Sequence, residues 1–367
     1  MASTSANITF DRLYSTTAAI HRKTLAMEIV QSNALLWHLY RQGAVTYAGG
    51  TEVRQPVVLQ ESANVGAIGL YSTFSTAPED GPTIARYPNW YKNRASCVFD
   101  ETELGQNEGP ERILDLLKVK LAISKISLIN DLNRQLYGNG GAEHAPPANT
   151  QELNGLASGF VEMRPETGAG AQNQIVGGID KAANPNWRNR YGTISTFSTD
   201  GLRVWERVYM DCSSHGTHPD IMMTDPQVYR FFKELVAPNQ ARADVQLWNA
   251  GFENLLFNST PVVPEPQLAG TGQTYFLTTS GRRQVTDFNL KPEYFSTPGK
   301  NPMVKSTGTG TGLQLAILRK DDFRMTDFRY PPDSDTLLAH LFFTGMLVTS
   351  SENRQGGVDF GANPIAF

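Results

Sequence analysis

PERILDLLKVKLAISKISLINDLNRQLYG, residues 110–138, is the stretch whose reading decides the fold. Pro110 suits a first helical position, and Glu111 places an acid in the first turn, where the helix dipole is positive. Neither Pro nor Gly follows until Gly138, a good residue for the position just past a helix end. The run predicts one helix of about 28 residues, roughly 42 Å long. Leu114, Leu117, Leu121, Leu128, Leu132 and Leu136 recur near one face, and Ile113, Ile123 and Ile126 form a second stripe. The two together predict a broad apolar face lying along a core. A coiled coil is the weaker reading, because no strict heptad is sustained.

Just upstream stands IARYPNWYKNRASCVF, residues 84–99. In an extended chain Tyr91, Ala95, Cys97 and Phe99 share one face, while Trp90, Lys92 and Arg94 point to the other. Thr51 to Gln60 is valine-rich and extended, and Ser75 to Pro82 (STAPEDGP) is a strong turn signal. Residues 51–98 therefore predict a long two-stranded loop with its tip near Pro78 to Gly81. An isolated hairpin is marginal in water, so this one needs support from its own body or from another subunit. Residues 1–50 read as an arm, in which Leu25, Ile29, Leu36 and Tyr40 fall near one helical face and Arg41 with Gly43 makes a stop.

Downstream, residues 138–192 are rich in Gly, Asn and Ala, and Gly138 to Gly141 and Gly177-Gly178 mark irregular structure. From about 193 to 325 the pattern is mixed. Leu202 to Cys212 predicts a helix and Pro219 to Met223 a strand. Asp225-Pro226 starts a second helix with a capping acid. Asn254 to Pro264, Gln273 to Thr278 and Leu313 to Leu318 read as strands. Leu337 to Val348 is the most apolar run. At about 12 residues it is too short for a membrane helix, which needs about 20, and it predicts a buried strand or strand pair. No internal repeat is present.

Composition narrows the function. Of 367 residues only 19% are charged, against about 25% in an ordinary soluble protein, and the net charge is −4. Bulk positive charge for nucleic-acid binding is missing. The 18 Phe, 13 Tyr and 5 Trp argue against general disorder. Cys97 and Cys212 give no disulfide framework. The N-terminus lacks the basic and apolar regions of a signal peptide.

Chemical motifs are weak. Asp211, Cys212, His215 and His218 are the best metal candidates, but no second Cys/His cluster accompanies them. A metal-dependent enzyme built on residues 211–218 is thus a minor alternative. Gly308 to Gly312 lacks the Walker lysine. No G-x-S-x-G occurs. The reading is of a non-enzyme with no cofactor and no metal.

The order of these elements resembles the major capsid proteins of tailed bacteriophages, of the Hong Kong 97 type. The resemblance rests on residues 84–99 leading through Asn107 to Pro110 into the long helix, and on GGIDKAANPNWRN (177–189). Gly251 to Leu255 closing on Pro261 to Val263, and the strand 337–348, complete it. The resemblance implies an α+β fold. It has an N-terminal arm (1–50), an extended loop (51–98), a peripheral domain with a spine helix (99–150, helix 110–137), an axial domain (151–325) and closing peripheral strands (326–367). It implies self-assembly into hexamers and pentamers that form an icosahedral head shell around double-stranded DNA, held non-specifically. The loop would lie over a neighbouring subunit. Assembly candidates are Phe74, Pro78, Glu79, Asp80, Trp90, Lys92, Arg94, Glu111, Arg188 and Arg190. Expected partners are other copies of the chain, a separate scaffolding protein, a portal and cement proteins, with no membrane. The expected place is the virion, after assembly in the bacterial cytoplasm. An encapsulin-like compartment is the other shell the resemblance allows.

Overall fold

The computed structural model describes residues 33–60, 64, 67, 82–100, 110–138, 152–168, 170–213, 218–236, 243–279, 312–318, 321–330, 336–361 and 363–367.

Helix α1 (Ala34–Arg41) starts at Asn33, whose side chain accepts from Leu36 N at 3.1 Å, and ends before Gly43 at φ +69°. It is no free arm. Leu35, Leu36 and Leu39 are buried in the largest core, and β1 (Val45–Ala48) pairs in parallel with a late strand. Three leucines in eight residues have more apolar surface than a solvated arm can leave in water. Residues 1–32, with Leu25 and Ile29, lie outside the described residues.

Strands β2 (Val53–Val57) and β3 (Thr83–Tyr87) form the expected antiparallel two-stranded ribbon. The ribbon is shorter than 51–98, because β4 (Tyr91–Asp100) leaves it. All ten residues of β4 pair with a later strand of the main sheet. The alternation that marked residues 91–99 is that of a half-buried sheet strand, not of a free hairpin. Helix α2 runs Pro110–Tyr137 and packs on β4. Its Leu121, Leu128, Leu132 and Leu136 are buried, whereas Ile123 and Ile126 are 58% and 55% exposed. One stripe meets the core, so the expected broad face is narrower here.

The first sheet has the order β1-β12-β14-β13, with β4 also on β14. Its members are β12 (Leu313–Leu318), β13 (Arg324–Met325) and the long β14 (Thr336–Thr349), a single strand. β14 pairs with β4 over Thr336 to Gly345 and with β12 over Gly345 to Thr349. Leu337, Ala339, Leu341 and Phe343 are buried, while Leu338, His340 and Phe342 face a more open side.

A small hairpin, β5 (Ile175–Val176) and β6 (Ile179–Asp180), turns at Gly177-Gly178, φ +61° and +75°. These angles are those of a tight hairpin turn. β7 (Arg190–Thr193), α3 (Leu202–Cys212), β8 (Ile221–Thr224), α4 (Pro226–Val236), α5 (Val245–Asn249), β9 (Leu255–Phe257), β10 (Thr260–Pro264), β11 (Thr274–Leu277) and β15 (Gly356–Asp359) follow. The second sheet has the order β7-β15-β11-β8-β10-β9. Met222, Val262, Phe276 and Val358 on one face pack with Trp205 and Phe232 of α3 and α4. Ile221, Met223, Tyr275 and Leu277 on the other join the main core. Both faces are covered, which is why β8 is buried along its length.

The chain crosses between sheets at other points than the ranges 151–325 and 326–367 imply. β12 belongs with β14, and β15 returns to the second sheet. Sheet membership follows pairing partners far apart in sequence, which composition shifts do not mark.

Candidate assembly surfaces and a buried polar cluster

The ribbon rests on its own body by one face. Ala85 and Tyr87 are buried, Arg86 N donates to Gly177 O at 2.7 Å, and Asn186 Nδ2 donates to Leu59 O at 2.7 Å. Gly177 is needed for this: a Cβ there would stand 2.9 Å from Ala85 Cβ. Tyr87 stacks on Phe160 with ring centroids 6.3 Å apart. The other face of the ribbon, with Ile84 and Arg86, is exposed. Phe74, Pro78, Glu79 and Asp80 lie outside the described residues.

Trp90 is half-buried, and its indole N–H donates to Gly50 O at 3.0 Å, tying the start of β4 to the chain before β2. Lys92 and Arg94 are exposed on the open side of the first sheet. The Lys92 ammonium lies 4.2 Å over the Phe342 ring, and the Arg324 guanidinium lies 5.5 Å from the same ring. Arg94 is the cross-strand partner of Phe342. An aromatic ring thus carries three cations around it, two of them within cation–π range. His340, beside them, bonds Ser96 Oγ at 3.0 Å. Burial, then the Arg94 charge, hold its imidazole below the ordinary value. Periodicity placed Lys92 and Arg94 on one face; Phe342, Arg324 and His340 joined them only through pairing.

Glu111 lies in the first turn of α2, and its side chain is outside the described residues. Arg188 and Arg190 are committed to their own chain. Arg188 donates to the carbonyls of Lys181, Glu166 and Ala182, and Arg190 pairs with Glu166 at 2.8 Å. Arg188 organises the GGIDKAANPNWRN segment internally, and Arg190, just past its end, pairs with Glu166. The sequence could not distinguish that role from a surface one, because the acceptors are mostly backbone carbonyls.

The same segment reaches into a sealed polar cluster that sequence reasoning missed. Lys181 and Glu352 are both fully buried, with Nζ 3.3 Å from Oε2. Lys181 Nζ also donates to Gly159 O at 2.5 Å and to Asn189 Oδ1 at 2.8 Å. Asn189 Oδ1 accepts from Glu162 N at 3.0 Å, and its Nδ2 donates to Glu162 O at 3.0 Å. Neither Glu352 oxygen accepts a hydrogen bond within the described residues. Burial above all, with a further push from Glu162, raises the Glu352 carboxyl to about 7 despite the Lys181 charge.

A second buried joint ties α1 to the second sheet: His38 Nε2 lies 3.3 Å from Asp220 Oδ2, to which the Thr279 hydroxyl also donates. Of the 211–218 cluster, Cys212 is wholly buried in the second core, its thiol pushed up by burial, and His218 stacks on Tyr209. Residues 214–217 lie outside the described residues. No described helix is long and apolar enough to cross a membrane.

No protein-family model and no curated protein matches the sequence. Solved structures match its shape. The chain has the capsid fold of the Hong Kong 97 type. It is similar to a chain of the cyanophage A-1(L) capsid, at a TM-score of 0.53 and 15% identity over 86% of this chain and 90% of that one. The capsid of Myoviridae phage XM1 gives 0.48 at 11% identity, over 87% of this chain and 90% of that one. An encapsulin complex from Synechococcus elongatus gives 0.47 at 11% identity, over 86% and 84%.

Proposed function

We propose that the chain is the major shell protein of a tailed-phage head, and that its chemistry is self-association. The observation that carries this reading is the fold shared with the cyanophage capsid over 86% of the chain. Hexamers and pentamers of such a subunit close by symmetry through heterologous contacts, each of about 1,000 Å² or more. The Lys92, Arg94 and Arg324 face around Phe342 is one contact surface. Glu79 and Asp80 supply opposite charge in a stretch, residues 61–82, that holds no Lys or Arg. A low total charge suits the role, since a large like charge on each copy opposes assembly. Double-stranded DNA fills the shell without sequence-specific contacts. A separate scaffolding protein and a portal serve assembly in the bacterial cytoplasm, and cement proteins bind the finished shell.

Negative-stain electron microscopy of the purified, overexpressed protein tests this. Closed shells or capsomer rings are the expected result, and a protein that stays monomeric at high concentration overturns it. Shells loaded with a protein cargo and free of DNA would replace the phage head with an encapsulin-like compartment.

A further inference from the structure

Phe323 is the only bulky residue in the left-handed backbone region among the described residues. Its φ is +45°; the other two cases besides glycine, Asn258 and Ser259, are small and polar and turn between β9 and β10. A phenylalanine resists this conformation, by a factor of about 5–30 in population. It persists there only because its surroundings over-determine it, and strain of this kind marks elements with a second arrangement.

Those surroundings belong to four elements. Phe323 is buried, with its ring centroid 4.8 Å from that of Phe343 on β14. Asp322 accepts from the Tyr40 hydroxyl of α1 at 3.1 Å and from the Tyr47 hydroxyl of β1 at 2.9 Å, one on each carboxylate oxygen. Asp321 accepts from the Thr344 hydroxyl at 3.1 Å and from Arg324 Nε at 2.9 Å, and its carbonyl accepts from Thr344 N at 3.1 Å. We propose that residues 321–324 are a two-state latch: Asp322 is the catch that keeps Phe323 left-handed, and its release moves Arg324 off the cationic face.

In the closed state Arg324 is held by Asp321 and lies 5.5 Å from the Phe342 ring. Once Asp322 lets go, Phe323 falls to an ordinary negative φ and the peptide units on either side rotate. The Asp321 carbonyl then leaves Thr344 N. Arg324 is the next residue in the chain and follows, so the face keeps Lys92 and Arg94 without their third cation. An acidic partner that touches Arg324 binds the closed form better and draws the latch shut; only such a difference in affinity shifts the balance. This use of the latch rests on the reading of the face as a contact surface between copies, whereas the latch itself does not.

Amide hydrogen exchange of the purified chain, read residue by residue by fragmentation mass spectrometry, tests it. The Thr344 N–H reports the latch, and the Leu338 N–H, bonded to Arg329 O on the same strand, reports the sheet. Tyr47→Phe removes one bond to the catch from an exposed side chain. Thr344 should then exchange about tenfold faster, with Leu338 unchanged. Unchanged exchange at Thr344, or equal acceleration at both, overturns the latch. Phe323→Gly and Phe323→Ala both lose the Phe343 contact, but only alanine keeps the strain. Thr344 should exchange about threefold more slowly in the glycine variant than in the alanine variant; equal or faster exchange overturns the stored strain. If either of these two fails to fold, Tyr47→Phe alone decides. Tyr47→Phe should also lower the yield of closed shells, and a wild-type yield overturns the coupling to contact. A wild-type chain that forms no shells overturns the contact reading, while the exchange result still decides the latch.

Discussion

Tyr87 grips Thr349 by both backbone groups: its hydroxyl donates to Thr349 O at 2.8 Å and accepts from Thr349 N at 3.2 Å. The two residues lie far apart in sequence. The contact fixes the returning strand of the ribbon to the end of β14, and so sets where the ribbon lies on the body. Tyr87→Phe leaves two buried backbone groups unpaired. A loss of about 1–3 kcal/mol is expected, read as a lower denaturant midpoint with an unchanged slope.

The two glycines of the β5–β6 turn should respond differently. Both have positive φ, so alanine at either costs roughly 1–2 kcal/mol in backbone strain. At Gly178 a Cβ meets nothing within 4 Å, but at Gly177 it meets Ala85 and Tyr87. Gly177→Ala should therefore lower stability more than Gly178→Ala in parallel thermal melts. Equal losses would mean the ribbon is not seated on this turn.

Helix α2 gives a contrast within one element. Leu132→Ala removes a buried side chain and should cost about 2–5 kcal/mol. Ile126→Ala touches only the exposed side and should stay within about 0.5 kcal/mol. Chemical denaturation of the two variants checks this.

The cationic face separates folding from assembly. Lys92→Glu combined with Arg94→Glu replaces two exposed charges; losing the Lys92–Phe342 contact should cost about 0.5–1 kcal/mol, and Arg94→Glu about 0.5 kcal/mol or less. The same double variant should fail to form shells under the electron microscope. Normal shells would remove this face from the contact surfaces.

Glu352 predicts a pH dependence. Its folded carboxyl is raised to about 7 by burial, above the usual range of an unfolded glutamate. The folded state thus binds this proton more tightly than the unfolded state. The stability tied to it is present below the unfolded range and is lost as pH rises towards about 7, by at most roughly 3–4 kcal/mol. The difference in unfolding free energy between wild type and Glu352→Gln, followed from pH 4.5 to about 7, should shift in that direction. A constant difference would show that Glu352 titrates normally.

Much of the local structure was legible in the residues. Pro110, Gly138 and an uninterrupted run between them define α2, because helix limits are written in backbone chemistry. Asp225-Pro226 announced α4, and Asp225 Oδ1 accepts from Gln227 N at 2.8 Å as a cap does. Alternation along residues 91–99 identified the two faces of β4. The shell fold was legible through resemblance, since the order of segments was distinctive even where no single motif was.

What the sequence by itself determined was the elements, their faces and the absence of large net charge, all of which depend on neighbours a few residues apart. The tertiary structure decided the rest. Only strand pairing could show that β4 belongs to the main sheet, that α1 is core and that β15 returns to the second sheet. Only packing could bring Lys181, Asn189 and Glu352 together, since a buried polar cluster needs long-range burial to exclude water, and no local periodicity records that.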